Sequence, residues 1–515
     1  MVSKFDNLLT ELGTGPWNYL YFIMASYHFF VCPMHSYNAA FLAPNINYTC
    51  LPPDSADSSR LSFTKDACGY SVNSSDVLEE AKCTTWDYDN STFASTVTTE
   101  FDLVCDKTYF RAYYTMAFMA GNFMGNPIYG LLGDKFGRKK IVMLAALLYS
   151  IPGILMSFLP SMSTILIARF VMGFSQVPNH YVFALEQVEP KWRGVMGIIL
   201  AFPWAIGVMS LGGLGYLFRD WRNLQLVLSL PLILLIPLVW ILDESPRWLI
   251  VNGRHEEALK VLQRAERLNG ATLPCPDKLR QMMKEIQEAE EEEKPQEVNK
   301  KTFKDNCISN FFLTCSSWTI SKITIVMTLD FMVAALVFYG LSLSGSSYSD
   351  DPYIYMVLSG VMEAPAYSFS APIIEKFGRR VPTSAGYLIA GISILAIAFT
   401  PQIGWLVMTL ALIGKLGISA AFQMLFLYVT ELFPTIVRQQ GFGYAEIGGR
   451  IGAFISPFVT EVLAPVTWWG PSVVFGGFSI LAGLLTLTLH ETKDFPLPDT
   501  INDLEQIVHK KNSER

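Results

Sequence analysis

Charge is scarce in this chain. Asp, Glu, Lys and Arg make up 16% of its 515 residues, where a soluble domain carries about 25%. Histidine is scarcer still, with six residues. His28 and His35 lie seven apart on one helical face with no third ligand nearby in sequence, so they read as packed neutral rings, not a metal set. A P-loop, a dinucleotide fingerprint, zinc-ligand spacing and a nucleophile elbow are all missing. Those absences remove support from nucleotide-driven work and from catalysis, and no cofactor or nucleic-acid partner is expected. A cleavable leader is not evident either. The start MVSKFDNLLTELGTG is polar and amphipathic, and the first apolar stretch is too long for a signal h-region.

What the chain has in quantity is apolar surface. Apolar residues reach 51% and mean hydropathy is +0.32. They come in runs of about 20 residues, enough to cross a bilayer. Twelve spans read at approximately 15–40, 108–132, 140–159, 162–186, 194–217, 222–243, 319–345, 352–374, 381–400, 403–430, 439–463 and 469–489. Six precede residue 244 and six follow residue 318.

The chain also repeats itself. GDKFGRKK runs from Gly133 to Lys140 and EKFGRRV from Glu375 to Val381, with Gly137 and Gly378 separated by 378 − 137 = 241 residues. Glu186, Pro190, Arg193 and Gly194 close one span; Glu431, Pro434, Arg438 and Gly441 close another, 431 − 186 = 245 residues on. Two motifs sharing one offset imply a duplicated membrane half, the usual body plan of a secondary transporter. Gly130, Gly133, Gly137 and Gly378 suit tight turns or close helix packing. Asp134, Arg138, Glu375, Arg379, Glu186, Arg193, Glu431 and Arg438 suit an ionic cluster that forms in one conformation and breaks in another. The competing reading is that the basic residues only set topology.

Both repeated turns are basic, and short Lys/Arg-rich loops stay cytoplasmic. That places residues 1–14, the 244–318 segment and the 490–515 tail inside. The 44–107 loop then lies outside. It carries Cys50, Cys68, Cys83 and Cys105, and every N-x-S/T sequon in the chain, at Asn47, Asn73 and Asn90. Glycosylation and two disulfides are expected there, with three pairings open. The 15–243 and 319–489 regions read as the two halves. Between them, 244–318 reads as a helical linker, with Ala258, Val261, Leu262 and Ala265 at helical spacing.

Charges within spans need a partner or a wet cavity. They are Arg169, Glu186, Asp330, Glu363, Lys415, Glu431, Glu446 and Arg450. Glu186, Glu431 and Arg169 lie near span ends and are expected to pair with the basic loops. Lys415 and Arg450 are the cavity candidates. A guanidinium suits carboxylate or sulfate recognition, and Gly448, Gly449 and Gly452 leave space beside it for a ligand or another helix. Glu446, four residues before Arg450, shares its face. The pair either neutralises itself or opens to a zwitterion. Trp204, Phe338, Tyr339, Tyr367, Phe422 and Phe426 are candidates to line a cavity.

With these residues in view the chain resembles the organic cation/anion/zwitterion transporter branch of the major facilitator superfamily. The resemblance rests on GDKFGRKK and EKFGRRV, on CTTWDYDNSTFASTVTTEFDLVC from Cys83, and on WRNLQLVLSLP, DESPRWL, VFYGL, GVMEAP and ELFPTIVRQQGFG, in order. It implies an all-α membrane protein of major facilitator fold, with twelve transmembrane helices in two pseudo-symmetric six-helix halves. It also implies a multi-pass plasma-membrane protein that is not an enzyme. Cation-transporting members have an aspartate where Arg450 stands, and anion and carnitine-type members have arginine. Gly414-Lys415 also matches the latter, and Phe422 and Tyr339 match residues implicated in ligand contact. Tyr367 replaces a lysine frequent in anion members, and Asp330 and Glu446 are extra acids. The expectation is alternating-access movement of organic anions or carnitine-like zwitterions, with organic cations as the alternative. Expected partners are a small organic ion and the bilayer; a coupling ion or exchanged anion is left open. A non-transporting receptor on this fold would have lost its midspan charges, which are present.

Overall fold

The computed structural model describes residues 4–51, 61–63, 68–74, 77–176, 179–293, 317–464, 466–493, 495, 498 and 500–506. Among them are twelve long helical segments: α1 (Pro16–Ser36), α2 (Tyr109–Phe136), α3 (Arg138–Phe158), α4 (Met162–Ser175), α5 (Pro190–Leu217), α6 (Trp221–Ile241), α7 (Trp318–Leu343), α8 (Pro352–Phe377), α9 (Arg380–Ile397), α10 (Gly404–Leu432), α11 (Arg438–Phe458) and α12 (Gly470–Thr486). Six of these, α3, α5, α6, α7, α9 and α10, are long and apolar enough to cross a membrane by length and composition. The others are shorter, as are α4 with 14 residues and α12 with 17, or more polar. The expected span 162–186 is divided: α4 ends at Ser175 and a second helix covers Asn179–Leu185.

Glycine decides which helices touch. A Cβ at Gly448 or Gly452 of α11 would meet the backbone oxygens of Thr328 and Met332 of α7 at 2.2 and 2.0 Å. The glycines beside Arg450 therefore admit a helix, not a ligand. The halves meet where α2 faces α11 and α5 faces α8. At the second contact, Cβ positions on Gly212 and Gly360 would lie 2.9 Å from the backbone oxygens of Tyr353 and Ala205.

The 44–107 loop caps one face. It departs locally from an all-α description, because among the described residues five strands form two small antiparallel sheets. β1 (Tyr48–Cys50) pairs with β5 (Trp86–Tyr88), and β3 (Gly69–Ser74) lies between β2 (Leu61–Phe63) and β4 (Val77–Lys82). Disulfides join Cys50 to Cys83 and Cys68 to Cys105, stapling a segment too small to build its own core. Glu100 ties the loop to α6, accepting from Trp221 Nε1 at 2.7 Å and Arg222 Nε at 3.1 Å. Asn47 and Asn90 are exposed, and Asn73 falls within β3.

The opposite face carries the linker. Helices Pro246–Val251, His255–Asn269 and Pro276–Glu293 follow α6. A further helix, Lys4–Leu12, presents Phe5, Leu8, Leu9 and Leu12 at helical spacing. These residues share one buried cluster with Leu249, Leu259, Leu262, Leu279 and Met283. The 244–293 segment is thus a docked helical cap, held by the chain's own start. Residues 294–316, 494, 496–497, 499 and 507–515 of the expected linker and tail lie outside the described residues.

Candidate functional site

The two repeated turns build matching ionic clusters on the linker face. Gly137 and Gly378 have φ of +105° and +87°, angles that glycine adopts without strain. Each is followed by an arginine turned toward the carboxylate predicted from the second repeat. Arg138 Nε donates to Glu186 at 3.2 Å and Arg138 Nη2 lies 2.7 Å from Asp134. Arg379 donates through Nε and Nη2 to both Glu431 oxygens, at 2.8 and 2.9 Å. Arg193 Nε donates to Val188 O at 3.1 Å and Arg438 Nε to Phe433 O at 3.2 Å, closing the same turn in each half.

Each cluster holds two residues that sequence reasoning missed. Glu244 accepts from the Lys139 backbone N–H at 2.9 Å. Glu491 accepts from those of Arg379 and Arg380 at 2.7 and 3.0 Å. Both carboxylates sit at helix N-termini, where the dipole favours negative charge. Beside them, Ser245 Oγ donates to Glu186 at 2.9 Å and Thr492 Oγ1 to Glu431 at 2.5 Å. The signal was present: Glu244-Ser245 and Glu491-Thr492 stand 491 − 244 = 247 residues apart, close to the offsets already noted. Two predicted members do not join. Glu375 is exposed and forms no ion pair among the described residues, and a Cβ on Gly130 would meet nothing within 4 Å. Both clusters are intact, and each lies within its own half.

At the centre the structure brings Lys415, Glu363 and Tyr367 together. Lys415 Nζ is 2.8 Å from Glu363 Oε1, and both side chains are fully buried. Tyr367 OH donates to Glu363 Oε2 at 3.2 Å. Lys415 Nζ also donates to Ser342 Oγ at 2.6 Å and lies 3.4 Å from the Phe338 ring centroid. The lysine is thus compensated from every side in this conformation. Aromatic rings lead outward from it. Phe338 packs 5.8 Å from Phe422, and Phe422 stacks on Phe426 at 5.5 Å. Tyr37, which the sequence reading did not select, packs 5.6 Å from Tyr339 and 6.0 Å from Trp204. It joins α5 of one half to α7 of the other.

Arg450 differs from Lys415 in exposure. It keeps 29% of its side chain accessible and pairs with Glu446, 27% accessible, at 3.1 Å. Across the seam, the Asn126 amide of α2 faces Arg450; turned so that its oxygen meets the guanidinium, it accepts from Nε at 3.0 Å and Nη2 at 3.2 Å. Asn122, one turn away, donates to Gln176 Oε1 at 2.9 Å, and Gln176 Nε2 donates to Ser36 Oγ at 2.9 Å. A polar chain therefore runs from α2 through the end of α4 to α1.

Arg169 does not pair with a basic loop's partner as expected. It is fully buried, donates to the backbone oxygens of His35 at 2.9 Å and Tyr114 at 3.3 Å, and lies 4.4 and 4.5 Å from the rings of Tyr114 and Phe118. Carbonyls and ring faces replace a carboxylate because α4 packs against α2 there.

Known proteins place this geometry. Residues 64–500 match the family described as "Sugar (and other) transporter". The organic cation transporter protein of Drosophila melanogaster is 28% identical, covering 98% of this chain and 95% of its own length. Solute carrier family 22 member 13 of Homo sapiens is 32% identical over 83% and 74%. Organic anion transporter 3 of Oryctolagus cuniculus is 28% identical over 97% and 93%. Among solved structures, the inward-open conformation of the xylose transporter XylE from E. coli matches with a TM-score of 0.62, at 16% identity, covering 98% of this chain and 99% of XylE. On these matches the chain belongs to the organic cation, anion and zwitterion transporter branch of the major facilitator superfamily.

Proposed function

We propose that this transporter carries small organic anions or carnitine-like zwitterions across the plasma membrane by alternating access. The observation that carries the reading is the contrast between its two central cations. Lys415 is neutralised inside a closed cage by Glu363, whereas Arg450 is partly exposed at the seam with a loosely held partner. An incoming carboxylate can take the guanidinium's fork, and a substrate ammonium can take the released Glu446. Half-exposed ion pairs are weak, about 0–1 kcal/mol, so the exchange needs little energy. In this reading the linker face, both termini and the two arginine clusters are cytoplasmic. The stapled loop is extracellular and glycosylated at Asn47, Asn73 and Asn90.

Organic cations are the second reading, favoured by the Phe422–Phe426 stack, whose ring faces suit a cation. An oocyte uptake screen with p-aminohippurate, carnitine and tetraethylammonium, with and without sodium and at two pH values, separates the two. Arg450→Asp is expected to abolish p-aminohippurate or carnitine uptake at unchanged surface expression. Retained uptake by that variant would remove the arginine from the site.

A further inference from the structure

Asp330 belongs neither to the arginine clusters nor to the Lys415 cage. It stands 330 − 318 = 12 residues into α7, about 18 Å along the helix axis at 1.5 Å per residue. Its side chain is fully buried. Oδ2 accepts from Thr486 Oγ1 of α12 at 2.9 Å, and Oδ1 has no hydrogen-bond partner. Its backbone oxygen accepts from Tyr387 OH of α9 at 2.5 Å. No Lys, Arg or His among the described residues pairs with it, and Thr486 is the one side chain that bonds its carboxyl.

The titratable groups facing Asp330 are Tyr387 from α9 and Tyr428 from α10. Tyr428 lies in turn within electrostatic reach of Glu431, Arg380 and Glu491, and donates to His490 O at 2.6 Å. α12 contributes Thr486 alone. α11 packs on the same helix through Gly448 and Gly452 and brings no charge to the carboxyl. Asp330 therefore sits one residue layer below the second arginine cluster.

An ionised carboxylate without a cation is expensive in such a place. A neutral acid is not. We propose that Asp330 is a proton-binding site, protonated in this sealed state and exchanging its proton with water when α7 and α12 rearrange. The step breaks one O–H bond; the proton passes to water and the electron pair stays on the carboxylate, so no other reactant is needed.

The proposal rests on the transporter fold but not on a particular substrate. Infrared difference titration of the purified full chain in lipid nanodiscs reads the site without transport. A carbonyl band of a protonated carboxylic acid should persist at neutral pH and be lost in Asp330→Asn. In proteoliposomes, whichever of p-aminohippurate, carnitine or tetraethylammonium is transported should lose its pH dependence in Asp330→Asn and regain it in Asp330→Glu. Thr486→Val should shift the midpoint of the same profile, which covers the case in which Asp330→Asn folds poorly. An unchanged band in Asp330→Asn, or a wild-type pH profile in that variant, would overturn the proposal. If none of the three probes is transported while the band behaves as stated, the substrate reading fails and the proton site stands.

Discussion

Arg111 of α2 and Glu461 of the π turn Val459–Leu463 form an ion pair at 3.4 Å on the loop face. Arg111 Nη1 also donates to Asn45 Oδ1 at 2.6 Å, and its side chain is only 3% accessible. Among the ion pairs between described residues, this is the one that joins the two halves. Close by, Phe41 stacks on Tyr353 at 5.3 Å, and Tyr353 OH reaches Thr92 O at 2.9 Å. The halves are therefore fastened at the loop face, whereas each arginine cluster stiffens its own half.

Breaking that fastening should move the balance of states. Arg111→Glu is expected to raise labelling of a cysteine introduced at Tyr339 by an impermeant thiol reagent added from the loop side. A shift of about 1.4 kcal/mol would change the ratio of states tenfold. The swap Arg111→Glu with Glu461→Arg should restore labelling toward the wild-type level. No change in either variant would mean that the pair does not hold the face.

The carboxylates at the helix N-termini should matter equally in the two halves. Glu244→Gln and Glu491→Gln each remove the charge that caps backbone N–H groups next to a glycine turn. Each is expected to cost about 1 kcal/mol, read as a lower thermal unfolding midpoint, with uptake reduced severalfold. A large effect in one half and none in the other would contradict their equivalence.

The α7–α11 contact should tolerate no side chain. Gly452→Val places atoms where Met332 O already lies, 2.0 Å from the position a Cβ would take. Overpacking of this kind costs about 1–3 kcal/mol or more. Thermal stability in detergent should fall markedly, while Gly477→Ala, where a Cβ meets nothing within 4 Å, should leave it unchanged.

Peptide mapping under non-reducing conditions should recover Cys50 linked to Cys83 and Cys68 linked to Cys105. Replacing both members of one pair by serine is expected to reduce surface expression more than replacing Cys275, which is free and exposed. Either alternative pairing in the map would refute the arrangement.

Much of this architecture was legible in the sequence because membrane spans and their turns are local features. Apolar runs mark helices, glycine marks the turns, and the 241- and 245-residue offsets of Gly137 and Glu186 from their copies mark the two halves. The arginine-to-glutamate pairs followed from those repeats. Glu244 and Glu491 were harder to see because each is a two-residue signal embedded in polar sequence.

The amino-acid sequence alone determined the helical membrane class, the duplication and the family, since periodicity, composition and motif order are properties of the chain. Only the tertiary structure decided which charges are spent. Lys415 and Arg450 look alike as cations within apolar spans, yet one meets Glu363 across the gap between α8 and α10 and the other stays accessible at the seam. Asp330, equally plain in sequence, meets no cation among the described residues. Partners for a buried charge come from other helices, and their approach is set by packing, down to a single missing Cβ at Gly448 or Gly452.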